Sequence, residues 1–233
     1  MPVRRVTLVS RLLPATQDMK PDLASAIHLL HHAPFGALAS QAAQMPGYPF
    51  ATALPFVLDE AHCPVFLLSG LAEHTKNLLA NPHASLLVTV PQEVNVLEAP
   101  RMTLVGEVLR FEASPGLRAR YIRYQPDAEQ YLDLGDFSFF RLMPKRARYI
   151  GGFAQMGWLE QEAWGQAQVL ALEEEAALLA DLANDIPAEM RLLGVDCYGI
   201  DLMHNGLRER HPFDTPLDAA VIHAEVQRLL QAA

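Results

Sequence analysis

Cysteine is scarce in this chain, and long apolar runs are missing from it. Its 233 residues include two cysteines, Cys63 and Cys197, which lie far apart and form no CxxC pair. A disulfide framework is therefore not expected, and the cysteine content suits a reducing cytoplasm, where we expect the protein to reside. No run of 18 apolar residues occurs, so no transmembrane helix is predicted, and the N-terminal segment lacks the apolar core of a signal peptide.

Positive charge is scarce in the last third of the chain. Residues 1–150 contain 14 basic and 13 acidic side chains, whereas residues 151–233 contain 4 and 14. An acidic segment repels a phosphodiester backbone, and no arginine-rich patch offsets the repulsion. Neither a nucleic-acid partner nor a membrane partner is expected.

The first 160 residues have the sequence pattern of a β-barrel. A helix is predicted over 22–33, because Leu23, Ala26, Ile27 and Leu30 recur with helical spacing. Short apolar segments separated by turn residues follow at 35–40, 48–59, 63–70, 84–90, 101–111 and 137–153. Six such strands with few long helices between them favour an antiparallel barrel over a doubly wound sheet.

The sequence pattern changes after Trp164. A helix with glutamates in its first turn is followed by a hairpin around Asn205-Gly206 and by an amphipathic helix that begins near Pro216. The fold class is therefore α+β. We predict a six-stranded barrel domain with flanking helices over residues 1–162, and a small acidic helix-hairpin-helix domain over residues 163–233.

The most suggestive local motif is the turn that follows the strand at 63–70. Ser69, Thr75 and the first N–H groups of a short helix could donate to an anion, and Lys76 could supply the compensating charge. No Walker or dinucleotide-binding glycine pattern accompanies them. The alternative is a helix cap at Ser69 and a solvated lysine.

Several basic side chains are assigned to solvated helix faces. His28, His31 and His32 have the i, i+3, i+4 spacing that could hold a metal. They are placed opposite the apolar stripe of their helix with no nearby carboxylate to orient the imidazoles, so no metal site is predicted there. Arg120 and Arg123 are interpreted in the same way. The remaining histidines form no metal-binding pattern: His62, His74, His83, His204, His211 and His223.

Arg101 at a strand start and the Arg146/Arg148 pair in a later strand allow two interpretations. Arg101, Arg146 and Arg148 could meet an anion, or they could be outward-facing barrel residues. No serine lies in a nucleophile elbow, and Cys63 suits a small buried apolar position. The catalytic residues are therefore left unassigned.

The order of these segments resembles a known family. The strings GYPFAT, LAEHTKNL, NPHASLL and DFSFFRL, followed by YIGGF, resemble the pyridoxamine 5'-phosphate oxidase-like FMN-binding split barrels. Within that family the chain looks most like the haem-utilisation subgroup, which adds a small C-terminal α+β domain. The resemblance runs from about Leu29 to the C-terminus.

This resemblance implies a split barrel that forms a homodimer, with FMN held where two barrels meet. It also implies the residues that contact the cofactor. They are Tyr48, Thr52, Ser69, Thr75, Lys76, Asn77 and Arg101. Trp158 could in addition reach the flavin bound by the partner subunit. An apolar slot with a cation and donors at one end suits FMN.

One departure concerns haem. Haem-degrading members of the subgroup carry histidines in the C-terminal domain, where this chain has Leu182 and Pro187. Neither side chain can ligate iron. His204 and His211 remain as substitutes, although an exposed hairpin position explains both.

Three functions follow from the resemblance. The first is an FMN-dependent oxidoreductase that acts on a small redox substrate, which the sequence does not identify. Pyridoxamine phosphate itself is not expected, because the arginine and histidine set that grips its phosphate is missing near the C-terminus. The second is a haem-binding or haem-utilisation protein, and the third is a homologue without catalytic activity.

Overall fold

The structure, a computed structural model, describes residues 21–90, 95, 97–151 and 156–232. The N-terminal segment, for which no signal peptide is predicted, lies outside these residues. Within the described chain, no helix is both long and apolar enough to cross a bilayer.

A curled antiparallel sheet forms the larger part of the molecule. Its strands run in the order β2-β1-β5-β6-β7-β4-β3, and β8 pairs with β7 beside this path. Their bounds are β1 Phe35–Gln41, β2 Pro49–Pro55, β3 Val57–Leu58, β4 Pro64–Ser69, β5 His83–Thr89, β6 Arg101–Phe111, β7 Phe137–Ile150 and β8 Met156–Glu160. The result is a half-barrel, which confirms the predicted α+β split-barrel class.

Alternation along each strand determines which face of the sheet is buried. In β6, Met102, Leu104, Gly106 and Val108 are buried on the barrel side, while the residues that alternate with them are exposed or half-buried. Successive side chains of a strand point to opposite faces, so a period of two buries one face. All six predicted strands are present, but the segment at 48–59 divides into β2 and β3 at the buried Phe56, and β8 was not predicted.

Seven helices flank the sheets in the described chain. They are α1 Leu23–His32, α2 Glu73–Ala80, α3 Pro115–Tyr124, α4 Ala128–Leu132, α5 Gln161–Trp164, α6 Leu172–Asp181 and α7 Ala219–Ala232. The Asp22 carboxylate accepts from Ala24 N–H at the start of α1, and the Ser114 hydroxyl accepts from Leu117 N–H at the start of α3. These side chains satisfy helix donors that would otherwise lack partners.

The C-terminal segment contains a second, three-stranded sheet. Its order is β11-β10-β9, with bounds β9 Met190–Asp196, β10 Gly199–His204 and β11 Leu207–Pro212. Asn205 and Gly206 have φ values of 51° and 78° between β10 and β11, as the predicted hairpin turn requires. Strand β9, which forms a further hairpin with β10, was not predicted.

Helix α1 packs between the two sheets. Its Ala26 and Leu30 belong to the barrel core, whereas Ile27 belongs to the core of the C-terminal sheet. A third apolar cluster joins α3 to Leu172 of α6 and Leu193 of β9. The segments predicted as separate domains, 1–162 and 163–233, therefore share packed surfaces.

Candidate functional site

The predicted anion site lies between β4 and α2, and its serine already has partners. The Ser69 hydroxyl donates to the Asp136 carboxylate at 2.6 Å and accepts from Leu71 N–H at 3.1 Å. A carboxylate at this position would repel a phosphate beside Ser69. The Ser69 hydroxyl therefore stabilises the turn through these two hydrogen bonds.

The other members of the turn have different surroundings. Asn77 is fully buried, where its amide nitrogen donates to Ser40 Oγ at 3.4 Å and its amide oxygen accepts from Ala43 N–H at 2.8 Å. Thr75 is buried as well, and Lys76 is exposed. Asn77 therefore links α2 to the end of β1, whereas the neighbouring Lys76 faces solvent.

Arg101 lies far from this turn within one copy of the chain. Ser69 pairs with Phe137 at the start of β7, and Arg101 pairs with Ile150 at the end of the same 14-residue strand. The Arg101 guanidinium donates to backbone carbonyls of the segment that precedes β6. A single copy does not bring Arg101 and Ser69 to one ligand.

The remaining predicted contacts lie on two sides of the sheet. Tyr48, just before β2, is 63% exposed, and Trp158 on β8 is 44% exposed. Thr52 is half-buried on β2 and pairs with Leu38, on the face opposite the exposed Ala51. The predicted set is thus divided between the barrel's inner side and its outer face.

The outer face of the sheet is a continuous surface built from six strands. Two rows of directly paired residues cross it. One row is Ala53, Ala37, Leu87, Thr103, Arg148 and Trp158, and the other is Ala51, Ala39, Ser85, Val105, Arg146 and Glu160. We call these twelve residues the outer face.

The chemistry of the outer face changes from one side to the other. The strands β1 and β2 contribute four alanines, and Leu87 and Val105 follow on β5 and β6 with exposures of 42% and 43%. Small side chains leave the backbone close to the surface, so this part is flat and apolar. Exposed apolar patches of this kind commonly mark ligand or partner surfaces.

Two arginines and a tryptophan lie on the other side of the outer face. The Arg146 guanidinium lies 4.1 Å from the centre of the Trp158 ring, and that of Arg148 lies 5.5 Å from it. Arg146 also forms an exposed ion pair with Glu160 at 2.8 Å. These guanidiniums confirm the outward-facing interpretation, and Arg146 already has the exposed Glu160 carboxylate as a partner.

A groove borders each side of the outer face. The first has a volume of about 380 Å³ and is lined by Tyr48, His83, Ser85 and Val105, among others. The second, of about 810 Å³, is lined by residues that include Arg148, Met156 and Trp158. His83 was not selected from the sequence, although its place two residues before Ser85 puts it on the exposed side of β5.

Two assignments to solvated helix faces are wrong. His31 is 0% exposed and Arg120 is 3% exposed. Both positions follow the apolar stripe of their helices: His31 lies four residues after Ile27, and Arg120 lies three residues after Leu117. Because α1 and α3 are covered by both sheets, the buried stripe is wider than a surface helix would have, and these side chains lie inside it.

The structure explains why leucine occupies position 182, where haem-degrading members of the subgroup carry a histidine. Leu182 is fully buried in the core of the C-terminal sheet, at the end of α6. The leucine is therefore a core residue here. Asn184 and Asp185, which follow it, are exposed.

Comparisons with known proteins connect this geometry to a family. A family model described as CREG, beta-barrel, matches residues 17–166 of the chain. The chloroplastic heme oxygenase HOZ of Arabidopsis thaliana is 30% identical over 225 residues, which cover 85% of this chain and 69% of HOZ.

Solved structures extend the comparison. A heme binding protein from Mycobacterium smegmatis is 26% identical, with a TM-score of 0.59, and the match covers 92% of this chain and 99% of that protein. The Agrobacterium tumefaciens protein Atu2129 has a TM-score of 0.70 and 22% identity, over 89% of this chain and 94% of its own. The second match shows a shared fold alone. Together with the family model, these similarities confirm the resemblance predicted from the sequence.

Proposed function

Because the chain belongs to the CREG β-barrel family, we propose that it is a haem-binding protein that holds haem against the outer face. The observation that carries this proposal is the flat row of small and apolar side chains that ends at Arg146 and Arg148. Haem is a planar apolar ring with two carboxylates at one edge. The outer face likewise has a flat apolar part followed by two arginines. The relatives named for heme support the same ligand.

The roles of individual residues follow from their positions. Arg146 and Arg148 would pair with the two propionates, because guanidinium and carboxylate form strong charge-assisted hydrogen bonds. Arg146 would exchange its exposed Glu160 partner for a propionate, since an exposed ion pair is worth little. His83 would ligate the iron, since neutral imidazole is a common axial ligand. Arg146 lies two strands away from Ser85, a separation of about 10 Å at the usual strand spacing. Bound haem would supply the iron chemistry, and the chain would supply its placement.

FMN remains the competing cofactor of the same fold. The contacts of Ser69 with Asp136 and of Asn77 with Ser40 favour haem, because they engage the groups that a flavin phosphate would need. A flavin phosphate would instead depend on Lys76, Thr75 and the backbone N–H groups of α2. Flavin absorbance in the purified protein would favour FMN and count against the haem proposal.

We expect the double replacement of Arg146 and Arg148 by alanine to weaken haem binding at least about tenfold, which corresponds to about 1.4 kcal/mol. The measurement is a titration of the ligand-free protein with haemin, followed by the Soret absorbance. Arg110→Ala is the matched control, because Arg110 is an exposed arginine of the same sheet that lies outside the two rows. Equal affinities for the double variant and the wild type would contradict the proposal.

The same haemin titration tests whether His83 ligates the iron. His83→Ala is expected to shift the Soret maximum, because it removes the proposed iron ligand, while His223→Ala on α7 leaves the spectrum unchanged. An unchanged spectrum in His83→Ala would overturn the assignment of His83 and leave the propionate contacts to be judged by the arginine variants.

Haem breakdown is a second candidate function, favoured by the 30% identity with a protein named heme oxygenase. In that case haem is the substrate rather than a resident group. Loss of the Soret band with release of iron, after a reductant is added in air, would support this function. A stable ferrous spectrum would restrict the role to binding.

We further propose that two copies pack through their outer faces and enclose the ligand. Leu87, Val105 and Trp158 are large apolar residues exposed on this surface, and a stable dimer buries on the order of 2,000 Å². The expected result is the mass of a dimer in light scattering at micromolar concentration. Replacing Val105 with glutamate should shift the protein to the mass of a monomer, whereas the same replacement at the exposed Leu71 should not. A wild-type monomer would contradict this assembly.

A further inference from the structure

Three buried side chains converge where the half-barrel meets the C-terminal sheet. His31 Nε2 lies 3.2 Å from His62 Nδ1 and 3.1 Å from the Asp196 Oδ2 atom. The three residues are 0%, 1% and 5% exposed. They come from α1, from the turn between β3 and β4, and from the end of β9. We call them the junction triad.

The outward nitrogen of each ring already has a partner that can only accept. His31 Nδ1 lies 2.7 Å from Asp201 Oδ2, and His62 Nε2 lies 3.2 Å from the Gln168 carbonyl oxygen. Each of these nitrogens must therefore carry the proton of its ring. The two inward nitrogens, His31 Nε2 and His62 Nδ1, then hold lone pairs when the rings are neutral.

The three side chains place their ligand atoms together in a buried site. The atoms of His31, His62 and Asp196 that could bind an ion all lie within 4.8 Å of one another, and each residue is at most 5% exposed. Two ring nitrogens and a carboxylate oxygen thus face one another away from solvent, and a cation at their centre would satisfy all three.

We propose that His31, His62 and Asp196 bind a divalent transition-metal ion, with Zn²⁺ as the best match. Zinc bonds of about 2.0–2.1 Å in a tetrahedral arrangement place neighbouring ligand atoms about 3.3 Å apart. The observed separations from His31 Nε2, 3.1 and 3.2 Å, are close to that value. Two imidazoles and one carboxylate are also the ligand types that zinc accepts in three-residue sites.

The surroundings of the junction triad have the form of an outer ligand shell. Metal-bound histidines commonly donate their second N–H to a carboxylate or a backbone carbonyl, and Asp201 and Gln168 occupy these two roles. Arg210 donates to Asp196 Oδ2 at 2.8 Å, which leaves a second lone pair on that oxygen. It also lies 3.2 Å from Asp201 Oδ1, so it orients both carboxylates.

The backbone at His62 is consistent with a position selected for its side chain. Its φ of 58° lies in the left-handed region, which a residue other than glycine seldom adopts. Strain of this kind persists where surrounding structure requires it, and metal or ligand sites are common examples. The turn aims the imidazole at α1 and β9.

A metal at this place would connect the two sheets. His31 and His62 belong to the barrel part, and Asp196 belongs to the C-terminal sheet. A bound ion stabilises the folded state in proportion to its occupancy, because the unfolded chain does not hold the three ligands together. The inferred site is independent of the proposed haem site, which lies on the outer face.

The test uses haem-free protein expressed with zinc in the medium. We expect about one zinc ion per chain by elemental analysis, and a fall in Tm of at least about 4 °C after a strong chelator removes it, with recovery on adding Zn²⁺. His62→Ala should lose both the metal and the response to the chelator. His204→Ala, which changes a histidine on the C-terminal sheet outside the junction triad, should retain both.

A second measurement does not depend on the stability of a variant. Replacing zinc with Co²⁺ in the wild-type protein should give visible ligand-field bands, which Zn²⁺ then displaces. Wild-type protein without stoichiometric metal, and with the same Tm before and after chelation, would overturn the inference. Equal metal content in His62→Ala and the wild type would also overturn the inference.

Discussion

Replacing Glu175 with alanine is expected to lower the free energy of unfolding by about 3–5 kcal/mol, the usual cost of leaving a buried charge without its partner. Glu175 is 2% exposed on α6, and its carboxylate forms an ion pair with the buried Arg120. A second pair joins it to Arg123 at 2.9 Å. Truncation would leave the Arg120 guanidinium inside the protein with only part of its hydrogen bonding.

The position of Glu175 explains why this effect should be large. Its Oε1 atom also accepts from Val195 N–H at 3.1 Å, and Arg120 Nε donates to the Leu58 carbonyl oxygen at 2.9 Å. One carboxylate therefore links α6, α3 and β9, and through Arg120 it reaches β3. Because water cannot replace these partners in a buried site, their loss is not compensated.

Urea unfolding followed by circular dichroism measures the change. Glu173→Ala is the matched control, since Glu173 is an exposed glutamate on the same helix, and its replacement should change the free energy by no more than about 0.5 kcal/mol. If Glu175→Ala were as stable as Glu173→Ala, the buried ion pairs would not contribute to stability in the way described here.

Replacing Leu104 with alanine is expected to cost about 2–5 kcal/mol, because it removes buried methyl groups and leaves a cavity. Leu104 is 0% exposed at the centre of β6 and is paired with Leu86 of β5 and Ala147 of β7. The neighbouring strands are held by continuous hydrogen bonding, so the site cannot collapse easily around the smaller side chain.

Leu109 of the same strand supplies the comparison. It is 45% exposed, so its replacement with alanine should cost no more than about 1 kcal/mol. Both variants are measured by urea unfolding under the same conditions. Equal losses at the two positions would mean that the alternation along β6 does not separate the core from the surface.

Local patterns in the sequence were sufficient for most of the secondary structure. The alternation of β6, the cap at Asp22 and the Asn205-Gly206 turn each depend on residues that are close in sequence. Strand β8 was missed because Met156–Glu160 is a short segment whose pairing depends on the distant β7. The family resemblance was likewise visible in short strings, since those strings are contiguous in the chain.

Sites that draw on distant segments were beyond the reach of these patterns. His31, His62 and Asp196 are separated by 31 and 134 positions along the chain, and no local spacing relates them. Their meeting depends on where α1 packs and on how the C-terminal sheet docks. The roles of Ser69 and Asn77 were also decided this way, because Asp136 and Ser40 reach them from other elements.

The sequence by itself determined the fold class, most strands of the barrel and the acidic character of the C-terminal part. Each of these properties depends on the types and order of residues that are close in sequence, so it does not require knowledge of contacts between distant segments. Only the tertiary structure decided which polar side chains are buried and which charges meet, as at His31 and Arg120. The reason is that a buried charge is stable only beside a partner, and in this protein the partners come from distant parts of the chain.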